Sequence, residues 1–315
     1  MRKFLISLTA LAALSLGINS AHADLPSKGT AAGDSITMGF AADCKYNRWF
    51  WDLFCLLGGD QPEHSWFDGW SSNVNSVHDR YKALDANIQA NKSAAKSGSE
   101  LRGGDNNFAT QANKIVAQST VPDHVEVLLG GNDICNRDCT DPANCSNPLY
   151  SDSEWRASVR AGLDVLVAGL PQGSTVFLGG VPRVQDLRAA GLAKQASSSR
   201  IRCENVWSSY DICTIATSGS VLNGETSAQR LAAISARQKR YNEILAEEAA
   251  AYNANSTGQN ARGIEVVSDY VDEFTPSAGT TSFGANEIDG GDCFHPSVNG
   301  QNILSDVMWS NNPDR

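Results

Sequence analysis

A serine hydroxyl becomes a useful nucleophile only when a base takes its proton, and that base needs a partner that fixes its tautomer. The stretch Gly33-Asp34-Ser35-Ile36-Thr37 offers such a serine, and Asp292-Cys293-Phe294-His295-Pro296 offers an acid and a base three residues apart. A tight turn there can place the Asp292 carboxylate against the His295 imidazole. Acyl transfer also requires donors aimed at the developing oxyanion. The Ser35 amide is one, and the Asn132 side chain in Gly130-Gly131-Asn132-Asp133 is a second. A glycine amide would complete the hole. Gly98, in Ser97-Gly98-Ser99, is favoured as its source, with Gly103-Gly104 as the alternative. Of the other histidines that outlast the leader described below, His78 sits in a charged helical stretch, His124 precedes a strand and His64 lies in a Trp-rich loop. His78 reads as a solvated surface residue, and neither His124 nor His64 has an equally placed acid with a motif role of its own.

These residues must be positioned by an alternation of strand-like and helix-like segments, which predicts a parallel sheet covered on both faces. Val125–Leu129, Thr175–Leu178 and Gly263–Val267 read as strands. Helices are expected over Val74 to Ile88, Phe108 to Ala117, Trp155 to Leu170 after a Ser151-Asp152-Ser153 cap, and Ser227 to Tyr252. The first strand, Lys28–Ala32, has little apolar bulk and is placed by the Gly-Asp-Ser turn after it. In open α/β sheets chemistry collects where strands end at their carboxyl edge, and the Ser35 and Asn132 motifs both fall there.

The chain of 315 residues opens with Met1-Arg2-Lys3, an apolar run from Phe4 to about Ile18, and Ala21-His22-Ala23. That is the pattern of a secretory signal peptide over residues 1–23, too short for a membrane anchor and without stop-transfer charges. Residues 24–315 then form a single domain, since no linker, repeat or low-complexity run divides them. Export without an anchor means the periplasm or the medium. The formal charge is −10, and −12 once Arg2 and Lys3 are removed. So acidic a chain disfavours nucleic acid and anionic membranes as partners. Eight cysteines in an exported chain read as a disulfide framework. Local pairs Cys44–Cys55 and Cys203–Cys213 are expected, each stabilising by about 3 kcal/mol in the chain-entropy model. The pairing of Cys135, Cys139, Cys145 and Cys293 stays open. Zinc is disfavoured, because no CxxC pair or nearby histidine accompanies them.

Gly33-Asp34-Ser35, Gly98, Gly130-x-Asn132-Asp133 and Asp292-x-x-His295, in that order along the chain, resemble the four blocks of the SGNH (GDSL) hydrolase family. Each block alone is an ordinary turn sequence; four in order, two of them after strands, are not. The resemblance implies a three-layer α/β/α sandwich with a central parallel sheet, flavodoxin-like. It implies Ser35 as nucleophile, His295 as base and Asp292 as its orienting acid. The oxyanion donors would be the Ser35 and Gly98 amides and the Asn132 side chain, with neither metal nor cofactor. Ser65-Trp66 and Gln111-Ala112 look like the branch related to phospholipase B and secreted GDSL lipases. No Gly-x-Ser-x-Gly elbow is present, which argues against an ordinary α/β-hydrolase. Cys293 inside the Asp-x-x-His block departs from the family pattern, and a disulfide there would fix the histidine loop.

The expected activity is therefore secreted hydrolysis of carboxylic esters, of lipids or small acyl groups, through a Ser-His-Asp acyl-enzyme. A carbohydrate acetyl esterase is the alternative within hydrolases, and a catalytically silent binding protein on the same fold the alternative outside them. The aromatic insertion around Cys44 and Cys55 carries Trp49 and Trp51, with Trp66 soon after. These three are candidate substrate contacts; the competing reading is a small satellite core.

Overall fold

The computed structural model describes residues 25–47, 59–255 and 258–315. The expected signal peptide, and the insertion residues Trp49, Trp51 and Cys55, lie outside them.

Five parallel strands form the central sheet: β1 (Lys28–Gly33), β2 (Gln89–Ala90), β3 (His124–Leu128), β4 (Thr175–Leu178) and β5 (Glu265–Ser268), in the order β2-β1-β3-β4-β5. The register pairs Gly29 with His124 and Gly33 with Leu128, then His124 with Thr175 and Thr175 with Glu265. The carboxyl ends of β1, β3 and β4 therefore lie side by side. Parallel neighbours need long crossovers, and these carry all the helices but the last, which follows β5. They are α1 (Val77–Leu84), α2 (Phe108–Val116), α3 (Gly131–Cys135), α4 (Asp152–Gly169), α5 (Leu187–Ser197), α6 (Cys203–Tyr210), α7 (Thr214–Thr217), α8 (Ser227–Ala254) and α9 (Val298–Asn311). Helices α2, α4 and α8 pack on one another in a row, while α1 packs against α9. This is the three-layer α/β/α arrangement expected from the alternation.

The helix starts follow from local chemistry. Ser151 and Thr226 each form a full capping box, with Glu154 and Gln229, at the heads of α4 and α8. Gly162 and Gly169 on α4 face Phe108 and Val116 on α2, where any Cβ would collide with those side chains. Two glycines thus bring the α2 and α4 backbones together.

The weak first strand is the sheet's second position, flanked on both edges and buried from Gly29 to Gly33. Its small residues are a packing requirement. A Cβ on Gly29 would meet the Phe67 ring at 3.2 Å, and one on Gly33 would meet the Thr37 hydroxyl at 2.0 Å. The strand gains hydrogen bonds from two sides and gives up side-chain bulk so that Phe67 and the following turn can close on it.

The cysteine framework differs from expectation. Cys203 does not pair with Cys213: it bonds Cys293, and Cys213 bonds Cys135. The intervening α6 holds its own ends about 10 Å apart, beyond the span of a disulfide. Cys139 pairs with Cys145, and Cys44 is disulfide-bonded, its expected partner Cys55 lying outside the described residues. The two long-range bonds close loops of 78 and 90 residues. In the chain-entropy model each stabilises by about 4–5 kcal/mol, more than the short loops expected. Among the described residues no helix is long and apolar enough to cross a membrane.

Candidate active site

Beyond Gly33 the chain turns sharply, with Met38 N–H donating to Asp34 C=O and Phe40 N–H to Ser35 C=O. Three side chains from elsewhere hold this turn. Gln111 on α2 is buried and grips Gly33 twice, its Oε1 accepting the Gly33 N–H at 2.8 Å and its amide donating to the Gly33 carbonyl at 2.9 Å. Gln301 on α9 donates to the Ile36 carbonyl and accepts the Trp66 N–H. The Trp66 indole donates to the Thr37 hydroxyl at 3.2 Å. Trp66 is fully buried. It therefore supports the Ser35 turn from the core, where the sequence offered it as a candidate substrate contact.

On this turn Ser35 Oγ lies 2.6 Å from His295 Nε2. The other ring nitrogen, Nδ1, makes a short hydrogen bond to Asp292 Oδ2. With the Nδ1 proton given to Asp292, Nε2 is left to accept the serine proton. The remaining Asp292 oxygen accepts the Phe294 and His295 backbone N–H groups at 2.8 and 2.9 Å, so acid and base share one rigid turn. The His295 ring sits between Phe40 and Phe294, at 4.8 and 5.3 Å between centroids.

The electrostatics follow from burial and pairing. Burial alone would raise the Asp292 carboxyl, but the His295 charge and the hydrogen bonds to it hold Asp292 below the ordinary carboxylate range. Burial would lower His295, yet the Asp292 charge and hydrogen bond outweigh it and raise the imidazole above its usual value. Asp34, whose Oδ1 accepts the Ile36 N–H, is pushed by burial up to about 6. A base must be neutral to accept the serine proton. The kcat/KM of hydrolysis is therefore expected to fall as pH drops through a limb above the ordinary imidazole value of about 6.5. A rate flat across pH 5–8, measured on a soluble nitrophenyl ester, would refute His295 as the base.

Across the cleft, α3 begins at Gly131 after a left-handed Gly130 whose φ is +118°. A side chain there would strike Val181 and Trp155. Asn132 points one amide hydrogen at the Ser99 carbonyl, 2.9 Å away, and lines the cleft beside Ser35. Asp133 beside it is buried and accepts the Leu101 and Arg102 N–H groups, which ties down the loop carrying Gly98 and Ser99. Burial raises the Asp133 carboxyl to about 7, those two donors lowering it in part. Gly98 takes a φ of +81° and has open space where a side chain would be, whereas Gly103 packs against Glu100 and Tyr150. The Ser99 link to Asn132 joins the loop that carries Gly98 to the Asn132 side chain.

The histidine loop is clamped from α6. Cys203, at the start of that helix, holds Cys293, and the Trp207 indole donates to the Asp292 carbonyl at 3.0 Å. Cys293 takes a left-handed φ of +58°, uncommon for a side-chain-bearing residue. A disulfide does fix this loop, and its partner is the cysteine expected to pair locally.

Sequence reasoning missed the walls of the cleft. Pro182, Arg183, Val184 and Leu187, following β4, line it together with Phe283 and Phe294. The Gly179-Gly180-Val181-Pro182 run ending a strand was the available signal, by the same edge rule that located Ser35. His124 also had unseen acids. Its Nδ1 lies 2.7 Å from Asp314 and its Nε2 3.0 Å from Glu126, wholly buried at the amino edge of β3, the opposite end from Ser35. Burial pushes that imidazole down, but the bonds and charges of Asp314 and Glu126 raise it to about 9. It ties the C-terminal residues to the sheet. Trp70 is exposed.

A family model described as GDSL-like lipase/acylhydrolase matches residues 30–308. No curated protein sequence matches the chain. Among solved structures, an active-site mutant of a family two carbohydrate esterase from Clostridium thermocellum is similar at 14% identity and a TM-score of 0.42, covering 91% of this chain and 63% of that one. A carbohydrate esterase whose active site is described as having divergent catalytic and non-catalytic binding functions shares 11% identity at a TM-score of 0.42, covering 90% and 67%. A Lactobacillus plantarum protein from structural genomics shares 13% at 0.42, covering 92% and 97%. The chain thus spans under two thirds of the first of these structures.

Proposed function

The chain belongs to the GDSL-like lipase/acylhydrolase family of ester-hydrolysing enzymes, and we propose that it is an exported serine esterase acting on small acyl esters through Ser35, His295 and Asp292. The observation that carries this is the unbroken relay from Ser35 Oγ through His295 to Asp292, opening onto a cleft walled by apolar side chains. Ser35 attacks the ester carbonyl while His295 Nε2 takes its proton. The tetrahedral oxyanion is met by the Ser35 and Gly98 amides and the Asn132 amide. His295 then returns the proton to the leaving alcohol, leaving an acyl-enzyme that water cleaves by the same relay. A catalytically silent protein would have lost one member of this set.

The cleft supports the acyl assignment. Ile36, Val184, Leu187, Phe283 and Phe294 offer apolar contact, and Arg183 is turned toward Asp186 in an ion pair. The space enclosed between these walls is small, about 20 Å³, which suits a short acyl group better than a full lipid tail. The disulfide framework supports an oxidising compartment, and the N-terminal pattern supports residues 1–23 as the signal and 24–315 as one domain.

A substrate panel tests the reading: nitrophenyl acetate, butyrate and palmitate, a phosphatidylcholine and an acetylated xylan. Acetate and butyrate are expected to exceed palmitate at least tenfold in kcat/KM. Preference for palmitate or the phospholipid would move the enzyme to the lipases. Activity on the xylan far above that on the free nitrophenyl acetate would make it a carbohydrate esterase.

A further inference from the structure

Behind Asp292 stands a second carboxyl that the reaction as derived does not use. Asp289 is 1% exposed, as is Asp292. Its Oδ1 accepts the Gly291 N–H at 2.6 Å and the Asp292 N–H at 2.9 Å, while its own N–H donates to the His295 carbonyl at 2.9 Å. Asp289 therefore braces both ends of the turn that carries the acid and the base. Its other oxygen, Oδ2, is buried and has no donor to accept from among the described residues. A carboxylate oxygen left so would forfeit its hydration with nothing in return. Its carboxyl is within hydrogen-bonding reach of the Asp292 carboxylate, and two buried carboxylates in contact repel.

We propose, resting on the triad reading above, that Asp289 is a positioning residue that stands as the neutral acid, its Oδ2–H donated to the Asp292 carboxylate. The relay then runs Ser35, His295, Asp292, Asp289, with a single negative charge on Asp292. Asp289 holds Asp292 in place without adding a second charge near the imidazole. Burial, with the Asp292 charge second, raises Asp289 well above the carboxylate range, as a neutral acid requires. The surrounding charges agree. On the same segment are Asp292, His295 and Glu287. From α5 comes Lys194, which is lowered by burial and spends a proton on the Ala285 carbonyl at 2.9 Å. It makes no ion pair with Asp289 among the described residues. Asp43 and Lys45 line the outer side of the same hollow, and Asp34 and Asp60 face His295.

The acid limb of kcat/KM decides the matter, because the two protonation states predict opposite behaviour for one substitution. Asp289→Asn replaces a neutral donor by a neutral donor. Asp289→Ala, which has none, is expected to lose about 10- to 100-fold in kcat through a loosened relay, with its limb moved up as Asp292 becomes more basic. D289N should rescue that loss to within about threefold, with a limb within a few tenths of a unit of the parent's. If Asp289 were ionised, D289N would remove a negative charge beside His295 and drop the limb by about a unit. That drop would overturn the proposal, as would a folded D289A with full activity and an unmoved limb. Should D289N fail to fold, Asp289→Ser removes the charge with a smaller donor and is read by the same limb. Ser35→Ala and His295→Ala run in parallel. Activity in either would overturn the triad reading itself, whereas a limb drop with both inactive would overturn only the role of Asp289.

Discussion

Ser35→Ala is expected to lower kcat for ester hydrolysis by about 10⁴–10⁶, to the residue left by the oxyanion hole and binding alone. In the proposed mechanism the hydroxyl oxygen forms the acyl-enzyme, so nothing nearby can replace it. Stability should hardly change. Ser35 is small, its Oγ bonds His295, and losing one such bond costs about 1 kcal/mol. His295 stays in place in the variant, because Asp292 and the Phe40 and Phe294 rings hold it independently of the serine. Turnover of nitrophenyl acetate, read beside circular dichroism and a melting curve, tests this. A folded Ser35→Ala protein keeping more than a few per cent of the parent rate would sink the nucleophile assignment.

Asn132→Ala should cost about 10²–10³ in kcat with KM little altered, because an oxyanion donor acts on charge that exists only in the transition state. Among the described residues one amide hydrogen of Asn132 is engaged, by the Ser99 carbonyl. The other is free to meet an oxygen in the cleft. The same substitution releases Ser99, and with it part of the hold on Gly98, although Asp133 still ties down Leu101 and Arg102. Part of the loss is therefore expected to come from the second donor. A rise in KM with kcat unchanged would instead make Asn132 a ground-state contact and move the oxyanion role elsewhere.

The parts of the fold legible beforehand were those set by local rules. The strands at β3 and β4 announced themselves by β-branched runs, α4 by its cap and α8 by its long stretch of helix-forming residues. The short helices α3, α5, α6 and α7 escaped because each has at most three turns and weak periodicity. The C-terminal helix α9 escaped too, although Ser297 caps it by accepting the Gly300 N–H. Asp289 gave no signal in Ile288-Asp289-Gly290-Gly291, since nothing in its neighbours reveals that it is buried.

Residue type and order along the chain were enough to determine the family and to nominate the groups of the proposed chemistry: a serine after a short strand, an amide after its neighbour, and an acid three residues before a histidine. Such blocks are legible because the groups within each meet through a single turn, whose geometry is local. What the tertiary structure alone decided is everything joined across long stretches of chain. Gln111 and Gln301 clamp the Ser35 turn from α2 and α9, and Cys203 reaches over 90 residues to hold Cys293. The local alternative for Cys203 failed because a rigid helix keeps it from Cys213. Trp66 shows the same division: an indole suits a substrate rim or a core equally well, and only the packing of Thr37, Gln301 and the sheet against it determined that it is core.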